Sequence, residues 1–341
     1  MLLCLFIGLA SCTKPEPLYH TQSYVFGTLV DVSIYGEEGG EAQNIVSQIL
    51  REFQKINNRY HAWHPSELSG INHAFLKGKS TVTVKQDMAD MMQNLVGYAE
   101  ITEGFFNPSI GVLLELWGFQ SDDFKPVKVS AEDIAYIVKL NPQMTNLNID
   151  GNKISSNNVA FQLDLGGYAK GYALDQAMLI LKKHGVKNAL INIGGNVIAL
   201  GKHGDKPWRV GIQHPRQPNA IASLNLDSGW AIGTSGDYQR FFHLEGKRYC
   251  HIIDPRTGYP AQGMQSATVL IAPREDSGAL SDVTSKPFFI DGAANAARHA
   301  QRMGVENVLM IDDKGSIYAT RAMQKRLKWT DAKPPVVHTI Q

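Results

Sequence analysis

Hydrophobic and polar positions alternate along the chain with two periods, and the changes of period predict the order of helices and strands. Residues 23–35 alternate with the period of two that is typical of a half-buried strand, whereas residues 41–56 repeat apolar positions every three or four residues, as helices do. The same criterion predicts further helices at 86–101, 130–140, 170–183 and 295–303. It predicts strands at 81–84, within 147–165 around a Gly151-Asn152 turn, between 189 and 271, at 308–311 and at 316–319.

The predicted strands and helices interleave without a strict βαβ rhythm. This order favours an α+β fold with two lobes over a doubly wound parallel sheet. The length of 341 residues and the hydrophobic content of 43% suffice for a well-buried core, and we expect the folded domain to span residues 23–325, followed by a tail at 326–341. A formal net charge of +1 excludes a general electrostatic attraction to nucleic acid or anionic lipid.

The start of the chain predicts export. It is apolar but too short to span a bilayer, and Leu9-Ala10-Ser11-Cys12 is typical of a bacterial lipoprotein cleavage box. We therefore expect a signal peptide at 1–11, lipid on Cys12 and a polar tether at 12–22. Thr13 after the cysteine indicates the periplasmic side of the outer membrane, by similarity to Gram-negative lipoproteins. An ordinary signal peptide or a buried helix is the alternative.

A pattern that suits a phosphate group lies in the middle of the chain. Asp164-Leu165-Gly166-Gly167-Tyr168-Ala169-Lys170-Gly171 follows a predicted strand at 160–165 and opens the predicted helix at 170–183. The amides at a helix N-terminus favour an anion, and a glycine pair lets a ligand approach the backbone. We expect a pyrophosphate near Lys170, with Asp164 holding a ribose hydroxyl or an adenine amino group. A surface helix start with a solvated lysine is the alternative.

A histidine, a carboxylate and a rigid turn lie together in the segment Tyr249–Gly258. Pro255 fixes its own φ and restricts Asp254 to extended conformations, and Gly258 supplies the positive φ that closes such a turn. We therefore expect the imidazole of His251 and the carboxylate of Asp254 to be held in place, as a catalytic base and its orienting group need. A packed strand histidine is the alternative.

Several motifs in this order resemble the ApbE family, the FAD:protein FMN transferases. They are Asp164–Gly171, Ile193-Gly194-Gly195-Asn196, Gly233-Thr234-Ser235-Gly236-Asp237-Tyr238 and Tyr249–Gly258. The resemblance runs from about Tyr24 to about Thr320, and it implies a two-lobed α+β fold with an FAD cleft between the lobes. A G-x-G-x-x-G motif is absent from the sequence, which argues against a Rossmann dinucleotide site.

The resemblance also implies which residues contact the flavin nucleotide. An isoalloxazine ring is large, flat and apolar with polar edges, so stacking aromatics and amides suit it. Phe26 and Trp63 are the stacking candidates, with core packing as the alternative for Trp63. The further implied contacts are Asn72, Phe105, Phe106, Asn107, Asp164, Lys170, Gly195, Thr234, Ser235, Gly236, Tyr238 and Ile253.

A magnesium site is implied as well, but here the sequence departs from the family pattern. The implied ligands are the backbone carbonyl of Gly167, Asp282 in a loop and a threonine four residues later, with an optional carboxylate before it. Ser285 stands at the optional position and Lys286 replaces the threonine. Because an ammonium cannot ligate a cation, either a hydroxyl of Ser285 or Thr284 completes the shell, or the lysine charge replaces that of the metal. We expect weak Mg²⁺ binding or none, with FAD retained.

The implied reaction is transfer of FMN from FAD to a threonine or serine hydroxyl of a partner protein, with release of AMP. Phosphoryl chemistry needs positioning, neutralised charge and a base, and we expect Lys170 and His251 to supply the last two. Asp254 would orient the imidazole or bind the flavin edge. The alternatives are an FAD pyrophosphatase and a flavin-binding lipoprotein without turnover. The implied acceptors are membrane-associated redox subunits, such as those of sodium-pumping quinone reductases, Rnf-type complexes and nitrous oxide reduction regulators.

Overall fold

The structure, a computed structural model, describes residues 17–78 and 81–341. The predicted signal peptide and the lipidation site at Cys12 lie outside this range. Within it, no helix combines the length and the apolar character that a membrane span requires. The described residues form the helices α1 (Gly39–Arg59), α2 (Glu67–Leu76), α3 (Gln86–Ile101), α4 (Gly111–Leu116), α5 (Ala131–Leu140), α6 (Ala169–Lys183), α7 (Ser277–Asp291), α8 (Ala296–Met303) and α9 (Arg321–Arg326).

The strands and helices follow an α+β order, with eight consecutive strands from β6 to β13. They are β1 (Leu18–Val25), β2 (Thr28–Tyr35), β3 (Val82–Thr83), β4 (Leu147–Asp150), β5 (Lys153–Ser156), β6 (Asn188–Ile193), β7 (Asn196–Leu200), β8 (Trp208–Gln213), β9 (Ala220–Leu226), β10 (Ala231–Gly236), β11 (Phe241–Leu244), β12 (Lys247–Cys250), β13 (Met264–Ile271), β14 (Asn307–Asp312), β15 (Ile317–Thr320), β16 (Lys328–Trp329) and β17 (Val337–Ile340).

One large sheet carries most of the core. Its order is β1-β2-β6-β7-β10-β13-β14-β15-β17, and its pairs are antiparallel except for β15 with β17. Strand β13 is buried at every position, as expected for a central strand covered on both faces. Helices α1, α6, α7 and α8 pack on one face, and the small sheet β16-β9-β8 packs on the other.

Helix α7 is wedged between α6 and β10, and two glycines make this possible. A Cβ added to Gly171 of α6 would lie 2.3 Å from the carbonyl oxygen of Gly278, and one added to Gly233 of β10 would lie 2.1 Å from that of Ser281. Asp175 of α6 also holds the start of α7, because its carboxylate accepts from the amides of Gly278 (2.7 Å) and Ala279 (2.8 Å). The position of α7 is therefore fixed by close backbone contact.

Several elements agree with the periodicity, and the structure corrects others. Helix α3 spans the predicted residues, and β4 and β5 form a hairpin around Gly151-Asn152. The predicted strand at 160–165 is wrong, because that segment makes a single bridge, between Gln162 and Ile110. The chain at 233–236 belongs to strand β10, within the range where strands are predicted, whereas the expected metal loop at 281–286 lies inside helix α7.

The boundaries of the domain also differ from the prediction. Strand β1 begins at Leu18 and pairs with β2, so the second half of the predicted tether at 12–22 belongs to the sheet. The predicted tail at 326–341 contains β16, which pairs with β9, and β17, which pairs with β15. Strand β16 has only two residues and pairs with a strand far earlier in the chain, so no local pattern indicates it.

Candidate active site

The carboxylate of Asp164 stabilises the turn before α6. The Asp164 carboxylate accepts from the Gly166 amide (2.9 Å) and from the side-chain amide of Gln120 (2.9 Å). Lys170 follows in the first turn of α6, and its Nζ lies 3.4 Å from the carbonyl oxygen of Gly166. The lysine therefore stands beside the helix N-terminus, as the sequence predicts for a phosphate site.

Asn72 stabilises the backbone directly before this turn. Its side-chain amide donates to the carbonyl of Leu163 (2.8 Å) and accepts from the amide of the same residue (2.7 Å). Asn72 is buried, so this paired contact fixes the backbone next to Asp164. We therefore assign Asn72 a positioning role rather than the direct flavin contact that the resemblance implies.

His251 lies directly after β12, opposite Arg240 across the β11–β12 hairpin. The backbone amide of His251 donates to the carbonyl oxygen of Arg240 (3.0 Å), and Nδ1 lies 3.2 Å from the same oxygen. Because a carbonyl can only accept, Nδ1 carries the proton in this contact and Nε2 keeps a free lone pair. Burial lowers the pKa of His251 well below 6.5, and the charges of Arg240, Lys170 and Lys286 lower it further. The ring is thus a neutral base surrounded by cations.

Arg240 is a functional candidate that the sequence analysis missed. Its Nη2 donates to the carbonyl of Phe119 (2.8 Å), and its guanidinium carbon lies 4.9 Å from the ring centre of Phe124 and 5.9 Å from that of Trp63. Its Nε is buried and has no acceptor among the residues that the structure describes. A buried donor without a partner is rare in proteins, and it suits a site that receives an acceptor from a ligand.

The two predicted stacking residues lie in different surroundings. Phe26 and Gly27 form the two-residue turn between β1 and β2 with φ values of 58° and 69°, and the Phe26 ring lies 5.9 Å from that of Phe53. Trp63 is half-buried and contacts the ring of His61 edge-on at 4.3 Å between centroids. Trp63 faces Arg240 and is therefore the better placed of the two.

Strand β10 presents the predicted hydroxyl groups to its neighbours. Thr234 Oγ1 lies 3.0 Å from that of Thr268, and the Thr234 amide donates to Asn196 Oδ1 at 3.4 Å. The buried Nδ2 of Asn196 has no partner in the described ranges. A Cβ on Gly236 would lie 2.4 Å from the ring of Tyr238, so only glycine lets the tyrosine lie over the strand.

Gly195 belongs to the turn between β6 and β7. Its amide donates to Asn192 Oδ1 (2.9 Å), while the neighbouring carbonyl of Gly194 accepts from Gln239 (3.0 Å). Gln239 precedes Arg240, so this turn and the β10–β11 connection are linked. The motifs predicted from the sequence around residues 195 and 236 therefore lie next to each other.

The residues implied as magnesium ligands do not fit that ion. The Lys286 ammonium donates to the carboxylate of Asp282 and to its carbonyl oxygen (2.6 Å). Ser285 Oγ lies 2.7 Å from the same carbonyl and 2.7 Å from Ser235 Oγ. Mg²⁺ requires near-octahedral oxygen ligands, and here the carboxylate and the carbonyl oxygen of Asp282 already accept hydrogen bonds from an ammonium.

The Asp282–Lys286 pair is buried. Burial opposes ionisation of Asp282, but the attraction of Lys286 and Lys170 prevails and leaves the pKa of this carboxyl below 3.8. Burial also lowers the pKa of Lys286, against the attraction of Asp282. A Cβ added to Gly167 would lie 3.2 Å from Lys286 Cε and 3.6 Å from the ring of Phe106. Gly167, Phe106 and the ion pair therefore share one corner of the site.

Other predicted residues contact partners other than His251. The Asp254 carboxylate binds Arg256 through Nε (3.0 Å) and Nη2 (2.8 Å), so it does not orient the imidazole. The Phe105 ring packs against Arg256 and His299. The remaining two are buried: Asn107 donates to the carbonyl of Pro142, and Ile253 packs in an apolar cluster.

Comparison with known proteins identifies the class. The sequence model of the ApbE family matches residues 26–309, and the chain belongs to this family. The FAD:protein FMN transferase of Rhodobacter capsulatus is 38% identical over 333 residues, which cover 98% of this chain and 63% of that protein. The enzyme of the same name from Vibrio cholerae is 27% identical, with 93% and 95% covered. The crystal structure of the ApbE protein from Thermotoga maritima is similar with a TM-score of 0.82 at 30% identity, covering 91% of this chain and 99% of that one.

Proposed function

We propose that this protein transfers FMN from FAD to a threonine or serine hydroxyl of a partner protein. The acceptor oxygen attacks the flavin-side phosphorus of FAD, a new O–P bond forms, and the bond to the AMP phosphate breaks. The hydroxyl proton passes to Nε2 of His251. The single observation that carries this proposal is the imidazole itself, which is kept neutral by its surroundings and fixed through Nδ1.

The cations around His251 suit a diphosphate. Lys170 stands at the N-terminus of α6, and Arg240 and Lys286 act on the imidazole from other elements. Positive groups in fixed positions stabilise the charge that develops when a pyrophosphate bond breaks, without having to reorganise. We propose that FAD lies with its diphosphate among these residues and its ring system towards Trp63, in a cleft between two lobes.

The test is an incubation of the purified protein with FAD and an acceptor domain that carries a flavinylation threonine. We expect fluorescent flavin that stays on the acceptor in denaturing gels, together with an equimolar amount of AMP. FMN and AMP formed equally with and without acceptor would instead identify a pyrophosphatase. The absence of both products, with FAD still bound, would identify a flavin-binding protein.

We also propose that the mature protein is anchored by lipid on Cys12, on the periplasmic side of the outer membrane, where membrane-associated redox subunits would be its acceptors. This proposal rests on Leu9-Ala10-Ser11-Cys12. Mass spectrometry of the N-terminal peptide would find diacylglycerol and acyl groups on Cys12. An unmodified cysteine in the mature chain would contradict the proposal.

A further inference from the structure

The Lys286 ammonium is built into the site rather than exposed to solvent. Its side chain is 13% exposed and that of its partner Asp282 is 2% exposed. The two residues are four apart on α7, so the helix itself brings the ammonium over the carboxylate. Because α7 is fixed by its contacts at Gly171 and Gly233, the position of this charge is fixed too.

The bonding of the ammonium leaves one donor for a ligand. An ammonium has three N–H groups, and those of Lys286 meet two acceptors, the carboxylate and the carbonyl oxygen of Asp282. The third N–H has no acceptor in the described part of the chain. The Lys286 Nζ lies 3.8 Å from a Cβ added to Gly167, beside the turn where the diphosphate of the proposed substrate would lie.

A divalent cation would have to displace this group. The Asp282 oxygens that could bind a metal already accept from Lys286 and from the Gly171 amide (3.2 Å). Entry of Mg²⁺ would leave a buried ammonium without its partner and beside a double positive charge, and both changes are costly. The Asp282–Lys286 pair thus excludes the metal in two ways: the ammonium repels it, and the Asp282 oxygens already accept hydrogen bonds.

We propose that Lys286 is a resident cation that binds the diphosphate in place of Mg²⁺, so that this protein transfers FMN without a divalent metal. The inference rests on the proposed function, because the diphosphate is that of FAD. Its central test measures metal binding and does not require flavin transfer. Lys286→Thr restores an oxygen ligand and frees Asp282, and it should therefore create a metal site where the parent chain has none.

Metal binding is measured directly by titrating FAD-loaded protein with Mn²⁺ and recording the free ion by electron paramagnetic resonance. We expect no saturable site in the parent protein up to the highest Mn²⁺ concentration used, and in Lys286→Thr a saturable site whose Kd is at least about tenfold below that concentration. Lys182→Thr, on the exposed end of α6, is the matched control and should behave as the parent. Saturable binding by the parent protein, or none by a folded Lys286→Thr, would overturn the inference.

The transfer assay gives the second readout. In excess chelator the parent protein should keep its rate within about twofold, whereas Lys286→Thr should lose about tenfold or more and recover when Mg²⁺ is added in excess. Loss of the parent activity in chelator with recovery in Mg²⁺ would contradict the proposal. If Lys286→Thr does not fold, the two parent measurements decide alone. If no flavin is transferred under any condition, the proposed function fails, and the Mn²⁺ titration still decides whether Lys286 excludes the metal.

Discussion

The turn after β12 and the middle of helix α7 each place an aspartate beside a cation, yet they serve different ends. Asp254 binds Arg256, whose Nη1 continues to Asp291 (2.6 Å), which in turn contacts buried His299 (2.9 Å). This chain of charges leads away from the His251 imidazole. Asp282 binds Lys286, whose neighbours are Gly167 and Lys170. Asp254 therefore belongs to a network outside the candidate site, whereas Asp282 belongs to the site together with Lys286.

The largest effect that this comparison predicts is at His251. We expect His251→Ala to lower the single-turnover rate of FMN transfer by about 10²- to 10⁴-fold, the usual contribution of a general base. FAD binding, measured by flavin fluorescence, should change little, because the charges of Lys170 and Arg240 remain.

The control for this variant is His184→Ala, which removes an exposed histidine that contacts Gln48 far from the site. It should leave both the rate and the FAD affinity unchanged. FMN transfer by His251→Ala at the parent rate would show that the imidazole is not the catalytic base.

The second prediction separates the two aspartates. Asp254→Asn should lower the free energy of unfolding by about 1 kcal/mol, because it weakens the hydrogen bonds to Arg256, whose side chain is 53% exposed and screened by solvent, and the turn that depends on them. Urea unfolding followed by tryptophan fluorescence measures this loss. The transfer rate of the folded fraction should fall by much less than in His251→Ala.

The opposite pattern would be equally informative. If Asp254→Asn kept its stability but lost transfer as completely as His251→Ala, the carboxylate would act on the imidazole or the substrate after all. Asp254 would then belong to the candidate site, and the distinction between the two regions would be wrong.

Helices and strands with one buried and one exposed face were predicted better from the sequence than those that are buried on all sides. Helix α3 and the β4–β5 hairpin have a polar face and a buried face, so their period is visible. Helix α7 is buried at nearly every position between α6, β10 and β13 and contains serines and Pro287, so it shows no amphipathic period. The pattern therefore predicted no helix there, and the loop at 281–286 was implied only by the resemblance.

The candidate site was predictable where a short motif carries it and not where distant segments meet. Lys170, His251 and Asp282 lie in motifs with their own local geometry. Arg240 was missed because it faces His251 through the β11–β12 hairpin, and its unpartnered nitrogen is visible only in the folded structure. The resemblance implied a flavin contact for Asn72, and its bond to Leu163, 91 residues away in sequence, is visible only in the folded structure.

The smallest effect that we predict concerns the pH dependence of transfer. The base must be neutral, and burial together with Arg240 and Lys170 holds the pKa of His251 well below 6.5. The rate should therefore stay constant as the pH falls through the ordinary range of histidine and decline when the pH passes the lowered pKa. The acid limb of kcat/KM reports this value in the protein without FAD, the state to which the lowered pKa refers.

Arg240→Gln sharpens this test, because it removes one of the charges that disfavour imidazolium while keeping a polar side chain under Trp63 and Phe124. We expect the acid limb to move upwards by about one pH unit or less, which is at most about tenfold in rate at a given acidic pH. Arg209→Gln, which removes a guanidinium that contacts Ser223 between β8 and β9, should leave the limb where it is. An acid limb that stays fixed in Arg240→Gln would mean that the Arg240 charge does not act on the imidazole, and that burial with the remaining Lys170 and Lys286 suffices to keep it neutral. Arg240 would then serve the diphosphate and not the base.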